Sequence, residues 1–471
     1  VTTRPAQLTL LCAALLAAAL APASAHALQP LAEFLAAARR QNPDNREAAL
    51  VVRQREHQID QQKWDYTPTI SATAGYTRNQ YEVKVTLPGA DPANPITRTI
   101  TPFNQLDAQL TLTQPIVDVG ILRNLELAKA NRAASEARVA STRLQVDQSV
   151  AQAYYQVVAA EAFIAATEEV FQAARASLEI VQQRAAAGVA SDLDRRRAEV
   201  EVERGRKSIA DAEYNLAIAR QRLVSLAGVE PEPTTADPSI TVSLADEAPL
   251  PSFVDGNIDQ VASVKADLAD ARTSEVQVRG ATALFFPTLS ASANERFTNA
   301  TGFLGKYSIA SASLNLSWRL DLAIIPQLRA AKTQAQLAQV RVDRSRQRVY
   351  DQIHNAWHQV KAAIAKARSA RVERDTTRAA HKQARQRYEA GTGIFLEVTQ
   401  AERDAFSAHI SLIQANADLA YARIALRLAA GRDPKDADAL LRADSPEPAQ
   451  EAPAPANPDT PPPLAPQELG R

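Results

Sequence analysis

Residues Gly188 to Gly228 align without gaps onto Gly391 to Gly431, at a constant offset of 203 residues and with 13 of 41 positions identical. The identities include Leu193/Leu396, Ala198/Ala401, Glu199/Glu402, Leu216/Leu419, Arg220/Arg423 and Leu223/Leu426. The register extends upstream: Ala153-Tyr-Tyr-Gln-Val157 lies over Ala356-Trp-His-Gln-Val360, and Pro68-Thr-Ile-Ser-Ala72 recurs as Pro287-Thr-Leu-Ser-Ala291. A period of about 200 residues is too long for a solenoid unit and suits a duplicated domain. Each copy reads in one order: helix, strand pair, very long helix, glycine turn, long helix.

The long helices carry the strongest pattern. No Pro or Gly interrupts residues 121–186. Their apolar stripe runs Val146, Val150, Ala153, Val157, Ala160, Ile164, Thr167, Phe171, Ala174, Leu178, Val181, Ala185. Steps of four and three alternate, which is a heptad seam. The second copy, predicted over 325–389, keeps the seam through Ile353, Ala356, Val360, Ala363, Ala367 and Ala370, then breaks it with Arg374 and His381. Helices over 191–227 and 394–430 supply the partners, with Gly188 and Gly391 turning each pair into a hairpin. Sixty-odd helical residues span roughly 100 Å, far more than a small globular core needs.

Strand signals precede each hairpin, over 68–86 and 103–117 in the first copy and 286–298 and 306–322 in the second. Leu106, Ala108, Leu110 and Leu112 alternate with Gln105, Asp107, Gln109 and Thr111, and aromatic residues such as Trp64, Tyr66, Phe285, Phe286 and Trp318 sit at the ends. Period-two alternation over about ten residues with aromatic ends is the pattern of a membrane barrel strand. An ordinary half-buried sheet gives the same alternation; the neighbouring helices favour the barrel.

Residues 1–27 read as a secretory signal, with Arg4, an apolar run from Leu8 to Leu20 and the small residues Ala25 and Ala27. The single cysteine, Cys12, lies inside that run, so the mature chain is expected to have no disulfide and no lipid-attachment cysteine. Residues 28–235 form the first repeat and 236–442 the second, joined by a Pro- and Asp-rich linker over 229–256; 443–471 is a Pro-rich tail expected to be disordered. Basic and acidic residues balance at 53 each, so no global field points to nucleic acid.

With these elements in place, the chain resembles the TolC family of outer-membrane efflux proteins over about residues 30–435. The resemblance rests on the duplicated order, on Tyr66-x-Pro68 opening the first strand and on Leu112-x-Gln-Pro-Ile116 closing the strand pair. It rests also on Gly188-Val-Ala-Ser-Asp-Leu-Asp194 and Gly391-Thr-Gly-Ile-Phe-Leu-Glu397 at the turns. It implies a mostly α fold with a membrane β-barrel, in which three copies build a twelve-strand barrel continuous with a twelve-helix tube. The implied location is the Gram-negative outer membrane, in contact with its lipid and reaching into the periplasm. The implied partners are a periplasmic adaptor (membrane fusion protein) and an inner-membrane transporter. The implied role is a passive exit duct for efflux or type I secretion. Elementary geometry agrees, because four strands cannot close and about eight are the practical minimum. A soluble periplasmic coiled-coil adaptor is the competing reading; adaptors usually carry one hairpin between β-rich halves, and two hairpins with strand pairs argue against it.

The resemblance also implies site residues at the hairpin turns. Asp194 and Tyr388 match positions that hold the periplasmic tip closed, and Glu397 matches one position of an acidic ring. Gly393 stands where the best-known member has an arginine link, and Gln400 where it has a second acid. Independently, Asp194 suits a helix N-terminus and Tyr388 falls on the seam. Arg195, Arg196 and Arg197 are a candidate adaptor contact, although such a run is also what a solvated helix start looks like. No catalytic constellation, P-loop or dinucleotide fingerprint is present, so neither enzyme activity nor a cofactor is expected. His354 and His358 have a helical metal-ligand spacing but lack an evident third ligand.

Overall fold

The structure, a computed structural model, describes residues 28–88, 96–232, 242–254, 258–319, 321–432 and 434. The predicted signal (with Cys12), residues 233–241 and 255–256 of the linker over 229–256, Leu320 and the tail lie outside the described residues.

The first half opens with α1 (Leu31–Gln41) and α2 (Pro43–Trp64). Four strands follow: β1 (Thr69–Arg78), β2 (Val83–Leu87), β3 (Ile96–Thr101) and β4 (Asn104–Val117). The hairpin α3 (Val119–Ala186) and α4 (Asp192–Ala227) completes it. The second half runs from a short α5 (Pro251–Val254) through α6 (Ala262–Ala283), β5 (Thr288–Thr298) and β6 (Ser308–Ser317) to α7 (Ile324–Glu389) and α8 (Phe395–Ala429).

One antiparallel sheet has the order β1-β4-β5-β6. Paired residues share a face, so the register sorts side chains into rows across the strands. Ile70, Leu112, Ala293 and Ala312 form one row of an apolar face; Thr73, Gln109, Arg296 and Ile309 cross the opposite, mostly polar face. Both faces are largely open to solvent in the single chain, with β1 and β6 exposed along their whole lengths.

The strand predicted over 68–86 is two elements. β1 stops at Arg78, and Val83–Leu87 pairs with Ile96–Thr101 in a separate two-stranded hairpin. Pro102 cannot donate to a ladder, and Asn79 caps the break by donating its side-chain amide to the Pro102 carbonyl at 2.8 Å. The strand predicted over 306–322 is shorter too, ending at Ser317, where the Trp318 indole turns to donate to the Phe285 carbonyl at 3.3 Å.

None of the twelve seam residues of α3 is exposed. Gly205 of α4 marks the closest approach: a Cβ there would lie 3.0 Å from Cδ2 of Phe171. Each hairpin is covered at mid-height by a different segment. On the first, α1 lays Phe34, Leu35 and Ala38 against Val146, Val150, Val157, Leu216 and Leu223, and Arg39 pairs with Asp147 at 2.6 Å. On the second, the strap 242–254 packs Val242 and Phe253 against Ile353 and Val360. Glu247 of the strap reaches Arg427 at 2.6 Å and Arg423 at 3.4 Å, both buried. Trp357 and Arg368 of α7 donate to the strap carbonyls of Ala248 and Leu244. Among the described residues no helix is long and apolar enough to cross a membrane.

Candidate functional site

The two hairpin turns are built by one rule. After α3, Gly188 adopts φ 73°, Val189 N–H donates to the Arg184 carbonyl at 2.8 Å, and Gly188 N–H to that of Ala185 at 3.0 Å. After α7, Gly391 adopts φ 76°, Thr392 N–H donates to Arg387 at 2.9 Å, and Gly391 N–H to Tyr388 at 3.0 Å. This is the Schellman closure, which needs a left-handed residue and therefore glycine. The entries into the return helices differ. Ser191 caps α4, accepting from Asp194 N–H at 3.1 Å while its hydroxyl donates to the Asp194 carboxylate at 2.7 Å. At α8 the cap residue, Ile394, makes no side-chain hydrogen bond, and Phe395 is buried instead.

The turns meet. Phe395 packs with Val181 and Ala198 of the first hairpin, and with Tyr388, whose ring centroid is 5.6 Å from its own. Arg184, in the last turn of α3, lays its guanidinium over the Tyr388 ring at 4.7 Å and donates to the Tyr388 carbonyl at 2.9 Å. Burial raises the Tyr388 phenol above its ordinary value; the Arg184 charge opposes that and the Asp194 charge adds to it. The structure thus brings Tyr388 and Asp194 into one electrostatic neighbourhood, with Arg184 as the direct partner of Tyr388. Sequence reading did not single out Arg184. A basic residue in a helix's last turn looks like an ordinary dipole complement.

The other predicted positions are placed as follows. Glu397 is exposed in the first turn of α8, 3.6 Å from Arg387. Gly393 has no room to spare: a Cβ would lie 3.2 Å from the Arg387 Cβ and from the Tyr388 nitrogen. Gln400 donates to Asp404 at 3.1 Å. Arg195 pairs with Asp192 at 2.7 Å and Glu199 at 2.5 Å, Arg196 with Asp192 at 3.1 Å, and Arg197 with Asp194 at 3.7 Å. His354 and His358 have ring centroids 4.5 Å apart with their planes tilted by 50°, and no metal-competent cluster exists among the described residues.

Above the turns lies a second polar layer. Arg403 of α8 pairs with Glu201 of α4, joining the hairpins again. Beside them a cavity of about 170 Å³ is lined by Glu169, Arg374, Arg378, His381, Glu402 and His409. Burial raises Glu402 above the usual carboxylate range and the Glu201 charge adds to this, against Arg385 and Arg403. Burial lowers His381 and His409; Arg385 reinforces the first shift, while for the second Glu169 opposes and Arg374 and Arg378 reinforce.

The sequence pattern of the outer membrane efflux protein family matches residues 34–229 and 258–432. The chain belongs to the outer membrane efflux protein family. This is a family of outer-membrane channels rather than enzymes. Among curated relatives, Protein CyaE of Bordetella pertussis is 27% identical over 331 residues, 68% of this chain and 70% of that one. The cation efflux system protein CusC of Escherichia coli is 26% identical over 321 residues, 64% of this chain and 66% of that one. Among solved structures, the outer-membrane channel OprN superposes with a TM-score of 0.67 at 24% identity, covering 86% of this chain and 90% of that one.

Proposed function

We propose that three copies of this chain assemble into one duct that crosses the outer membrane as a twelve-strand barrel and continues into the periplasm as a twelve-helix tube. The observation that carries this is the four-stranded sheet. Its apolar face is unburied, and both edge strands, β1 and β6, are ten residues long with alternate N–H and C=O groups facing outward unpaired. A bilayer tolerates no such edge, so β6 of one copy must meet β1 of the next until the barrel closes. The polar face of Thr73, Gln109 and Arg296 then lines a watery lumen, and the apolar face meets lipid. The repeats 28–235 and 236–442 each contribute one strand pair and one hairpin.

In this reading the hairpin turns form the periplasmic aperture. Arg184 and Tyr388 tie neighbouring helices there with Asp194 nearby, and Glu397 repeats three times around the axis, favouring cations. A periplasmic adaptor and an inner-membrane transporter deliver the substrate, and Arg196, with 68% of its side chain exposed, is the most outward of the three arginines that would meet the adaptor. A soluble adaptor, the competing reading, has no use for a sheet with open edges and an unburied apolar face. Crosslinking in isolated membranes tests the proposal: a three-chain species in the outer-membrane fraction is expected, and a monomer confined to the soluble periplasm would refute it.

A further inference from the structure

Below Arg78 and Asn104 at its outward end, the apolar face of the sheet has one charged member. Its rows, read across β1-β4-β5-β6, are Ile70–Leu112–Ala293–Ala312, then Ala72–Leu110–Glu295–Ala310, then Ala74–Ala108–Phe297–Ser308, with Tyr76 and Leu106 beyond. Glu295 therefore sits between Leu110 and Ala310, one row above Ala293 and one below Phe297. A register slip does not explain it, because every other β5 residue from Leu289 to Phe297 falls on the face its polarity suits.

Three further observations narrow its purpose. First, β5 lies between β4 and β6, so no strand of an adjoining copy can cover Glu295. Second, the hydrogen bond it receives across the sheet comes from the Ser308 hydroxyl, whereas a carboxylate has about four acceptor positions. Third, it stands at one end of a trough of about 420 Å³ paved by Ala293, Ala310 and Ala312 and walled by Leu110 and Leu112. Alanines there leave depth for an extended hydrocarbon chain. All long helices join the sheet at its opposite end, so Glu295 lies near the outward rim. Two rows below Tyr76 and Leu106 corresponds to roughly 10 Å of depth for tilted strands, in the upper acyl region of the outer leaflet.

A carboxylate at that depth is costly unless donors reach it. Ester-linked phospholipids offer only acceptor carbonyls there. Lipids with amide-linked, hydroxylated acyl chains offer N–H and O–H donors at that level. We infer that Glu295 and the alanine trough form a binding site on the outer wall of the barrel for an N-acylated, hydroxyacylated saccharolipid of the lipid A class. The inference rests on the barrel reading above.

The test uses intact trimers in phospholipid nanodiscs, alone, with added lipid A, or with added cardiolipin, which carries two phosphates but only ester-linked chains. The readouts are the temperature of trimer dissociation and lipid retention by native mass spectrometry. Wild type should gain several degrees with lipid A and little with cardiolipin, and should retain lipid A roughly tenfold better than Glu295→Leu, the loss expected for hydrogen bonds to a charged group. Glu295→Leu should be the more stable in phospholipid alone and insensitive to lipid A; Glu295→Gln, which keeps one acceptor, should fall between. Equal lipid A responses in all three, or equal responses to lipid A and cardiolipin in wild type, would overturn the lipid site while leaving the barrel intact. A wild-type chain that inserts into neither disc, or whose sheet stays open to protease, would sink the barrel reading and the lipid site with it.

Discussion

Along the lower half of α3 the seam residues are Phe171, Ala174, Leu178 and Val181; at the equivalent places 203 residues later α7 carries Arg374, Thr377, His381 and Ala384. The first hairpin is thus zipped by apolar side chains from its middle to its turn. The second loses its apolar seam from Arg374 to His381, where it borders, with Glu169 of α3, the cavity that also holds Glu402 and His409; Tyr388 and Phe395 restore apolar packing at the turn. The mid-height covers differ in the same sense. Arg220 of the first copy pairs with Glu161 within its own hairpin at 2.8 Å and stays partly exposed, whereas its counterpart Arg423 is fully buried and reaches Glu247 of the strap. One duplicated framework has one hairpin zipped by its own apolar seam and one whose lower seam is polar, and the polar contacts cluster where the hairpins meet near their turns.

The largest effect that would break this comparison lies at the strap. Glu247→Ala removes the strap carboxylate that the buried Arg423 and Arg427 share, and breaking a buried pair typically costs about 3–5 kcal/mol. Glu161→Ala should cost less, about 1–3 kcal/mol, because Arg220 can turn to water. Denaturation of the purified protein followed by tryptophan fluorescence measures both, and equal losses would erase the distinction. Of intermediate size is the transplant of the first seam into the second, Arg374→Phe with His381→Leu. Burying two apolar side chains in place of polar ones should raise stability by about 1–3 kcal/mol. A destabilised product would show that the polar cavity is a packed, satisfied core and not a weak point.

The smallest effect is a pH dependence. Glu402 is raised in the folded state, so the folded protein holds a proton that the unfolded chain releases. Its contribution is fully present below the ordinary carboxylate range and is lost as pH rises through its raised value. Glu402→Gln should therefore increase the melting temperature slightly at neutral pH, and the gain should shrink on acidification. His381 and His409 act in the opposite direction, being lowered, and lose stability as pH falls through the ordinary histidine range. A gain from Glu402→Gln that grows on acidification would contradict the assignment.

The sequence carried the hairpins, their turns and the family because these depend on local periodicity and on glycines that no other residue replaces. α3 was expected over 121–186 and spans Val119–Ala186; Gly188 and Gly391 sit at the turns as expected. What was not legible depends on meetings between distant segments. The cover formed by α1, the ionic grip of Glu247 on α8 and the Arg184–Tyr388 contact each join residues more than a hundred positions apart. The split of the first strand turned on one proline and one asparagine whose partners lay beyond the next turn. At the site, Asp194 was read as a cross-helix link or a helix-start acid; its direct hydrogen bonds serve the α4 cap, and the arginine on the adjacent helix contacts Tyr388.

The central claim is that the duct is narrowest at the hairpin turns and is held there by side chains that can be removed singly. Single-channel conductance in planar bilayers tests it most directly, with Arg184→Ala and, separately, Asp194→Ala combined with Tyr388→Leu, which removes the ring that Arg184 covers. Each link contributes only about 0.5–3 kcal/mol, so the trimer should survive while the aperture widens. Both variants should conduct more than the parent, and Glu397→Gln should weaken cation preference without widening. Parent-like conductance in both aperture variants would place the constriction elsewhere in the tube and contradict the account.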